Sequence, residues 1–159
     1  MKWIWPVPSV SKALPGPETQ GYFGAARKND IHTGIDIYCE PDALVVAVES
    51  GVVIGIEKFT GASVGSPWWE ETDAVWVKGP SGVVVYGELS STVSFGQQVN
   101  GGETLGYVKT VLKKDKGLPM TMLHIELYSP SMTETVWWKH GEDRPQTLLD
   151  PTKFLENIK

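Results

Sequence analysis

The sequence predicts an all-β domain closed by one short C-terminal helix. Three observations carry this: short runs of β-branched or alternating residues recur along the chain, Gly, Pro, Asp or Ser bounds each run, and a helix-like pattern occurs only at the end. The expected strands are Ile35 to Tyr38, Ala43 to Val48, Val52 to Glu57, Ala74 to Lys78, Val83 to Tyr86, Thr104 to Val108 and Leu123 to Tyr128. Glu49-Ser-Gly51 and Lys78-Gly-Pro-Ser-Gly82 are tight connections, the second a hairpin, because Gly and Pro supply the backbone angles such turns need. Two long loops are expected, Lys58 to Asp73 with Trp68 and Trp69, and Tyr128 to Leu148 with Trp137, Trp138 and His140. Loops of this length in a compact domain often carry function, so the paired tryptophans either flank a cleft or pack over a sheet edge. The helix runs from Thr152 to Ile158, with Asp150 to cap it, Pro151 in its first turn, and Phe154, Leu155 and Ile158 as its apolar face.

At 159 residues the chain is read as a single domain, 1–159, with no repeat and no linker-like tract. Hydrophobic residues at 41% and charged residues at 21% exclude global disorder. A net charge of -5 without a basic run argues against nucleic-acid partners, since counterion release has nothing to act through. The lone Cys39 excludes an internal disulfide and a multi-cysteine zinc knuckle, and is expected as a small buried apolar residue. Pro6 and Pro8 interrupt the first apolar residues, so no signal peptide is read there. The expected location is cytoplasmic or phage-associated as written, and periplasmic or secreted if a leader was removed. No apolar run reaches the roughly eighteen residues of a membrane-spanning helix, so no membrane insertion is expected.

The chemistry concentrates at three positions. His32-Thr-Gly-Ile-Asp36 offers an imidazole and a carboxylate four residues apart. Zinc accepts both at about 2.0–2.2 Å, but a straight strand separates their Cα atoms by roughly 13 Å, so a bend at Gly34 is part of the expectation. The alternative is a capped turn with a surface histidine. On the run Met122 to Tyr128, alternation puts Met122, His124 and Glu126 on one face and Leu123, Ile125 and Leu127 on the other. His124 would complete a His₂Asp set with a fourth position open, the catalytic rather than the structural arrangement. Otherwise it is a core histidine bonded to a neighbour such as Glu126.

The chain resembles the lysostaphin-type, or LytM-type, zinc endopeptidases of bacterial cell walls. The resemblance runs in order through Trp5-Pro-Val-Pro8, Phe23-Gly24, Arg27, His32-Thr-Gly-Ile-Asp-Ile37, Val46-Ala47, Gly51-Val-Val53, Tyr86-Gly-Glu-Leu89, Val99 to Gly106, His124-Ile-Glu126 and Leu149-Asp-Pro151. It implies a mostly antiparallel β-sheet groove of the duplicated hybrid-motif (barrel-sandwich hybrid) type. It further implies Zn²⁺ held by His32, Asp36 and His124, and peptidoglycan peptides as partners. Two departures stand out: where the family ordinarily has histidines, this chain has Glu88 and Met122. Proton handling of that kind is typically worth about 10²–10⁴ in rate, and electrophilic help a comparable amount. A thioether can do neither job. Glu88 either takes over as base or forms a hydrogen bond or salt bridge at the strand end. Glu126 is expected to support a ligand or the structure, His140 to be a solvated loop residue, and Trp68, Trp69, Tyr86 and Met122 to line the groove.

Three functions remain open on the sequence. One is a zinc metallopeptidase acting on cross-bridge or stem peptides, with Glu88 as base. Another is a catalytically degenerate zinc-binding module that recognises wall peptides or a protein partner. The third is a phosphocarrier-like domain of similar architecture, which requires two facing histidines and is opposed by Asp36. The acidic net charge does not favour adhesion to an anionic wall.

Overall fold

The computed structural model describes residues 2–114 and 121–159. Its strands are β1 (Ile35–Tyr38), β2 (Leu44–Val46), β3 (Gly51–Thr60), β4 (Thr72–Gly79), β5 (Gly82–Ser91), β6 (Gln98–Val99), β7 (Thr104–Val108), β8 (Met122–Tyr128) and β9 (Leu148–Leu149), followed by helix α1 (Thr152–Glu156). All the strand pairs are antiparallel, in the order β1-β8-β5-β4-β3-β6, with β7 joining β2 to β5 and β9 flanking β8. The mostly antiparallel, all-β architecture with one short C-terminal helix is the one the sequence predicts.

β5 is the pivot of the sheet. Val83, Val84, Val85 and Tyr86 are all buried, the pattern of a strand covered on both faces. Its first half lies between β4 and β8, and its last residues pair with β7 through Leu89↔Val108. The change of partner falls at Glu88, where φ is 70° and the ladder to β4 slips between Asp73 and Val75. A bulge of this kind turns a side chain away from the face that strict alternation would give it. The apolar residues of β8 alternate as expected, and Leu123, Ile125 and Leu127 are fully buried. Each such side chain contributes roughly 1.5–3 kcal/mol by leaving water.

The hairpin between β4 and β5 closes on Gly79↔Gly82, leaving Pro80 and Ser81 at the turn. Gly82 has φ +127°, and a Cβ there would stand 2.2 Å from the Tyr128 carbonyl oxygen, so neither turn nor contact tolerates a side chain. The buried Glu49 carboxylate accepts hydrogen bonds from Ser81 N at 2.9 Å, Ser81 Oγ at 2.7 Å and Trp3 Nε1 at 3.1 Å, which pins the N-terminal segment to this hairpin.

Several boundaries differ from those read in the sequence. β3 and β4 extend to Thr60 and Thr72, because Thr60 and Thr72 bury their hydroxyls against one another at 2.6 Å. The expected loop of Lys58 to Asp73 therefore shrinks, and includes a single 3-10 turn at Ala62–Val64. β6 and β9 have two residues each, too short for alternation to reveal. α1 ends at Glu156 and its N-cap position is Pro151, while the expected cap, Asp150, stands one residue earlier and accepts from Thr152 N at 2.9 Å. Cys39 is only half-buried, at the end of β1. Tyr86, expected along the groove, is wholly buried, with its hydroxyl accepting a hydrogen bond from Val48 N at 2.9 Å. It is a core residue, since β5 carries it to the inner face.

Candidate metal centre

The three expected ligands arrive on three backbone segments. Asp36 and His124 lie directly opposite each other in the β1–β8 ladder, so their side chains share a face. His32 precedes β1 and is fixed by its own backbone, whose N–H donates to the Ala25 carbonyl at 2.9 Å while its carbonyl accepts from Gly24 N at 2.9 Å. Gly34 allows the approach. A Cβ at that position would stand 2.4 Å from the Ile125 carbonyl oxygen and 2.9 Å from His124 Cε1. The glycine is needed for close contact between β1 and the His124 ring, not for a left-handed bend.

His32 Nε2, Asp36 Oδ1 and His124 Nδ1 converge, at 3.2 Å from His32 to Asp36, 2.9 Å from Asp36 to His124 and 3.2 Å between the two nitrogens. All three side chains are buried. The far atoms of each are committed elsewhere. His32 Nδ1–H donates to the Tyr22 carbonyl at 3.0 Å, His124 Nε2–H donates to Glu126 Oε2 at 2.8 Å, and Asp36 Oδ2 accepts from Arg27 Nη2 at 2.8 Å. With those protons outward, the converging atoms present lone pairs to one another. Only a cation or an added proton makes that arrangement favourable, and two imidazoles with a carboxylate are a donor set suited to zinc.

The charges agree with this reading of the geometry. Burial opposes ionisation of Asp36, but hydrogen bonds from His124 and His32 outweigh it and hold the carboxyl below its usual range. Burial would likewise lower His124, yet its bonds to Asp36 and Glu126 push it up to about 10. Glu126, expected to support a ligand or the structure, also accepts from Thr33 Oγ1 at 2.5 Å and Tyr128 OH at 2.8 Å, so it is locked between His124 and the core.

Glu88 faces the same region. It shares a cavity of about 260 Å³ with His32, His124, Glu126 and Trp69, and an adjoining one of about 200 Å³ with Asp36, Met122 and Arg27. Its Oε2 is buried and has no hydrogen-bond partner among the described residues. Burial, reinforced by Asp36, pushes the carboxyl up to about 8. It does not belong to the tight ligand cluster. No salt bridge to Glu88 occurs among the described residues, which removes one of its two expected structural roles.

Of the tryptophans, Trp69 lines both cavities and Trp68 stands largely exposed beside it, their rings 6.3 Å apart. Trp138 packs on Phe23 at 5.8 Å, both rings lying outside the strands, and Trp137 is exposed under Lys139. Met122 lines the second cavity. His140 is exposed but engaged, its Nε2–H donating to the Arg27 carbonyl at 2.6 Å. Sequence reasoning assigned no role to Arg27, Tyr22, Phe59 or Tyr38. Phe59 packs 5.3 Å from His124 through space that Gly87 leaves open, and nothing in its own run distinguishes it from a core strand residue. Alternation from Asp36 was the available signal for Tyr38.

A β-sheet presenting a buried His₂Asp donor set at the floor of a groove defines a metallopeptidase-type domain. The family model of Peptidase family M23 matches residues 30–136, and the chain belongs to that family. No curated protein matches the chain significantly in sequence. Among solved structures it is similar to the catalytic domain of lysostaphin from Staphylococcus simulans, with 18% identity and a TM-score of 0.58 over 86% of this chain and 90% of that one. It is also similar to a peptidase M23 from Pseudomonas aeruginosa, with 19% identity and a TM-score of 0.51 over 99% of this chain and 55% of that one. Helicobacter pylori Csd3 matches with 17% identity and a TM-score of 0.55 over 88% and 37%. The chain thus spans about half the length of the Pseudomonas protein and less of the Helicobacter one. These likenesses establish the fold.

Proposed function

We propose that the chain is a zinc-dependent peptidase acting on cross-bridge or stem peptides of peptidoglycan. The observation that carries this is the convergence of His32 Nε2, Asp36 Oδ1 and His124 Nδ1 beside Glu88, whose buried Oε2 has no hydrogen-bond partner among the described residues. Zinc, when bound, supplies Lewis acidity and lowers the pKa of its water toward neutrality. Arg27 holds Asp36 Oδ2, so that Oδ1 faces inward, and Glu126 and the Tyr22 carbonyl fix the two imidazoles. Glu88 accepts the proton of the attacking water and passes it to the leaving amine nitrogen. Burial and Asp36 oppose its ionised form, while His124 and Arg27 favour it. Trp68, Trp69 and Met122 form walls against which an extended peptide lies.

The test is incubation of zinc-loaded protein with a panel of muropeptides. New amine and carboxylate termini are expected, lost in Glu88→Gln by about 10²-fold or more. Protein that binds zinc but leaves the whole panel intact refutes turnover.

One observation favours a second reading, a zinc module that binds wall peptides without cleaving them. With its carboxyl pushed up to about 8, Glu88 is mostly protonated at neutral pH in the metal-free protein and is a poor proton acceptor there. Equilibrium binding of a wall peptide without product supports that reading, and activity gained by Glu88→His with Met122→His locates the defect. The phosphocarrier alternative fits less well. Asp36 Oδ1 lies within 3.2 Å of a ring nitrogen of both histidines, where its charge repels a phosphoryl group.

A further inference from the structure

We infer that Tyr38 supplies the hydrogen bond that stabilises the developing oxyanion, the task for which Met122 has no donor. The inference rests on the peptidase function proposed above. In the β1–β8 ladder Asp36 pairs with His124, and the next pair on the same face is Tyr38 with Met122. The phenol therefore rises from the strand roughly 7 Å from Asp36, beside the thioether. Tyr38, Met122, Glu88, Asp36, His124 and Arg27 line one cavity of about 200 Å³. Tyr38 is 40% exposed, so its ring stands at the cavity mouth where an extended peptide can reach it.

Of the other donors of that cavity, Arg27 is turned toward the scaffold through Nε and Nη2, which both donate to the Gln20 carbonyl while Nη2 also holds Asp36. The Tyr38 hydroxyl donates to no acceptor among the described residues. During attack, the water oxygen bonds to the scissile carbonyl carbon, the C=O π electrons move onto the carbonyl oxygen, and the O–H of Tyr38 points at that oxygen without giving up its proton. Glu88 takes the water proton and returns it to the amine as the C–N bond breaks. The sum is one peptide and one water giving one carboxylic acid and one amine.

The experiment compares zinc-loaded wild type with Tyr38→Phe. Three quantities are measured: kcat and KM on a muropeptide that wild type cleaves, the Kd of a phosphinic peptide mimicking the tetrahedral state, and bound zinc per chain. The expected result is a fall in kcat of about 10²–10³ with little change in KM. The phosphinic peptide should bind correspondingly more weakly, and zinc content should stay unchanged. If wild type is active but Tyr38→Phe keeps kcat and phosphinate affinity within about twofold, the role of Tyr38 is overturned and the peptidase stands. Equal weakening of KM and phosphinate affinity with kcat unchanged also overturns it, since the phenol then only helps bind substrate. Wild type inert toward every muropeptide removes the peptidase function and this role together.

Discussion

Asp36 and His124 lie 88 residues apart in sequence and directly opposite each other in the sheet, with Oδ1 of one 2.9 Å from Nδ1 of the other. Each is also held from behind, Asp36 by the Arg27 guanidinium and His124 by the Glu126 carboxylate. Such bracing removes the rotamer freedom that a metal would otherwise have to restrict, and it sets which atom of each side chain faces inward.

Glu126 should therefore matter to metal affinity without touching the metal. Glu126→Gln replaces a charged acceptor with a neutral amide facing His124 Nε2–H. A loss of about 10–100-fold in zinc affinity is expected, measured by competition with a chelator of known strength. Affinity within twofold of wild type would show that His124 is oriented by packing alone.

Gly34→Ala is expected to damage fold and site together. The new Cβ would meet the Ile125 carbonyl oxygen at 2.4 Å, a backbone atom that cannot step aside. Overpacking of this kind costs about 1–3 kcal/mol and pushes β1 away from the His124 ring. Chemical denaturation and zinc titration of the same sample should both register it.

Tyr86→Phe separates core from groove. Removing the hydroxyl leaves Val48 N–H buried without an acceptor, a loss of about 1–3 kcal/mol. Because the side chain is wholly buried, zinc content and peptide binding should be unchanged. Impaired peptide binding at temperatures where the variant remains folded would return Tyr86 to the groove.

How much of this was legible in the sequence depends on the kind of interaction. β8 was readable because one face is apolar and the other carries the chemistry, so its period of two separated Leu123, Ile125 and Leu127 from Met122, His124 and Glu126. His32, Asp36 and His124 were legible as chemistry, but their convergence depends on the register of β1 against β8, which no local pattern encodes. Tyr86 misled for a related reason: its motif neighbour Glu88 faces the site, and only the positive φ at Glu88 breaks the alternation between them. β6 and β9 were invisible because two residues carry no period. Arg27 and the Tyr22 carbonyl support the donor atoms through single hydrogen bonds from a loop ahead of β1, and spacing along a chain says nothing of such contacts, whereas Glu126 was legible because it shares a strand face with His124 two residues away.

The Glu88 carboxyl gives the metal-free protein a pH dependence of definite sign. Its pKa rises on folding from the ordinary 4.5 to about 8, chiefly through burial. Between those values the folded state keeps a proton that the unfolded state has released. The contribution to stability is fully present below about pH 4.5 and is lost as pH rises through 8. The slope cannot exceed about 1.4 kcal/mol per pH unit from this one group. In EDTA-treated protein, Glu88→Gln should raise the denaturation midpoint relative to wild type more at pH 8 than at pH 5. An equal difference at both values would mean that the carboxyl titrates normally.

The most direct measurement is bound zinc per chain, by native mass spectrometry, in wild type and in Asp36→Ala. Convergence of His32, Asp36 and His124 on one cation requires one zinc in wild type and almost none in the variant. Wild type without zinc after loading, or a variant that retains a full equivalent, would contradict it.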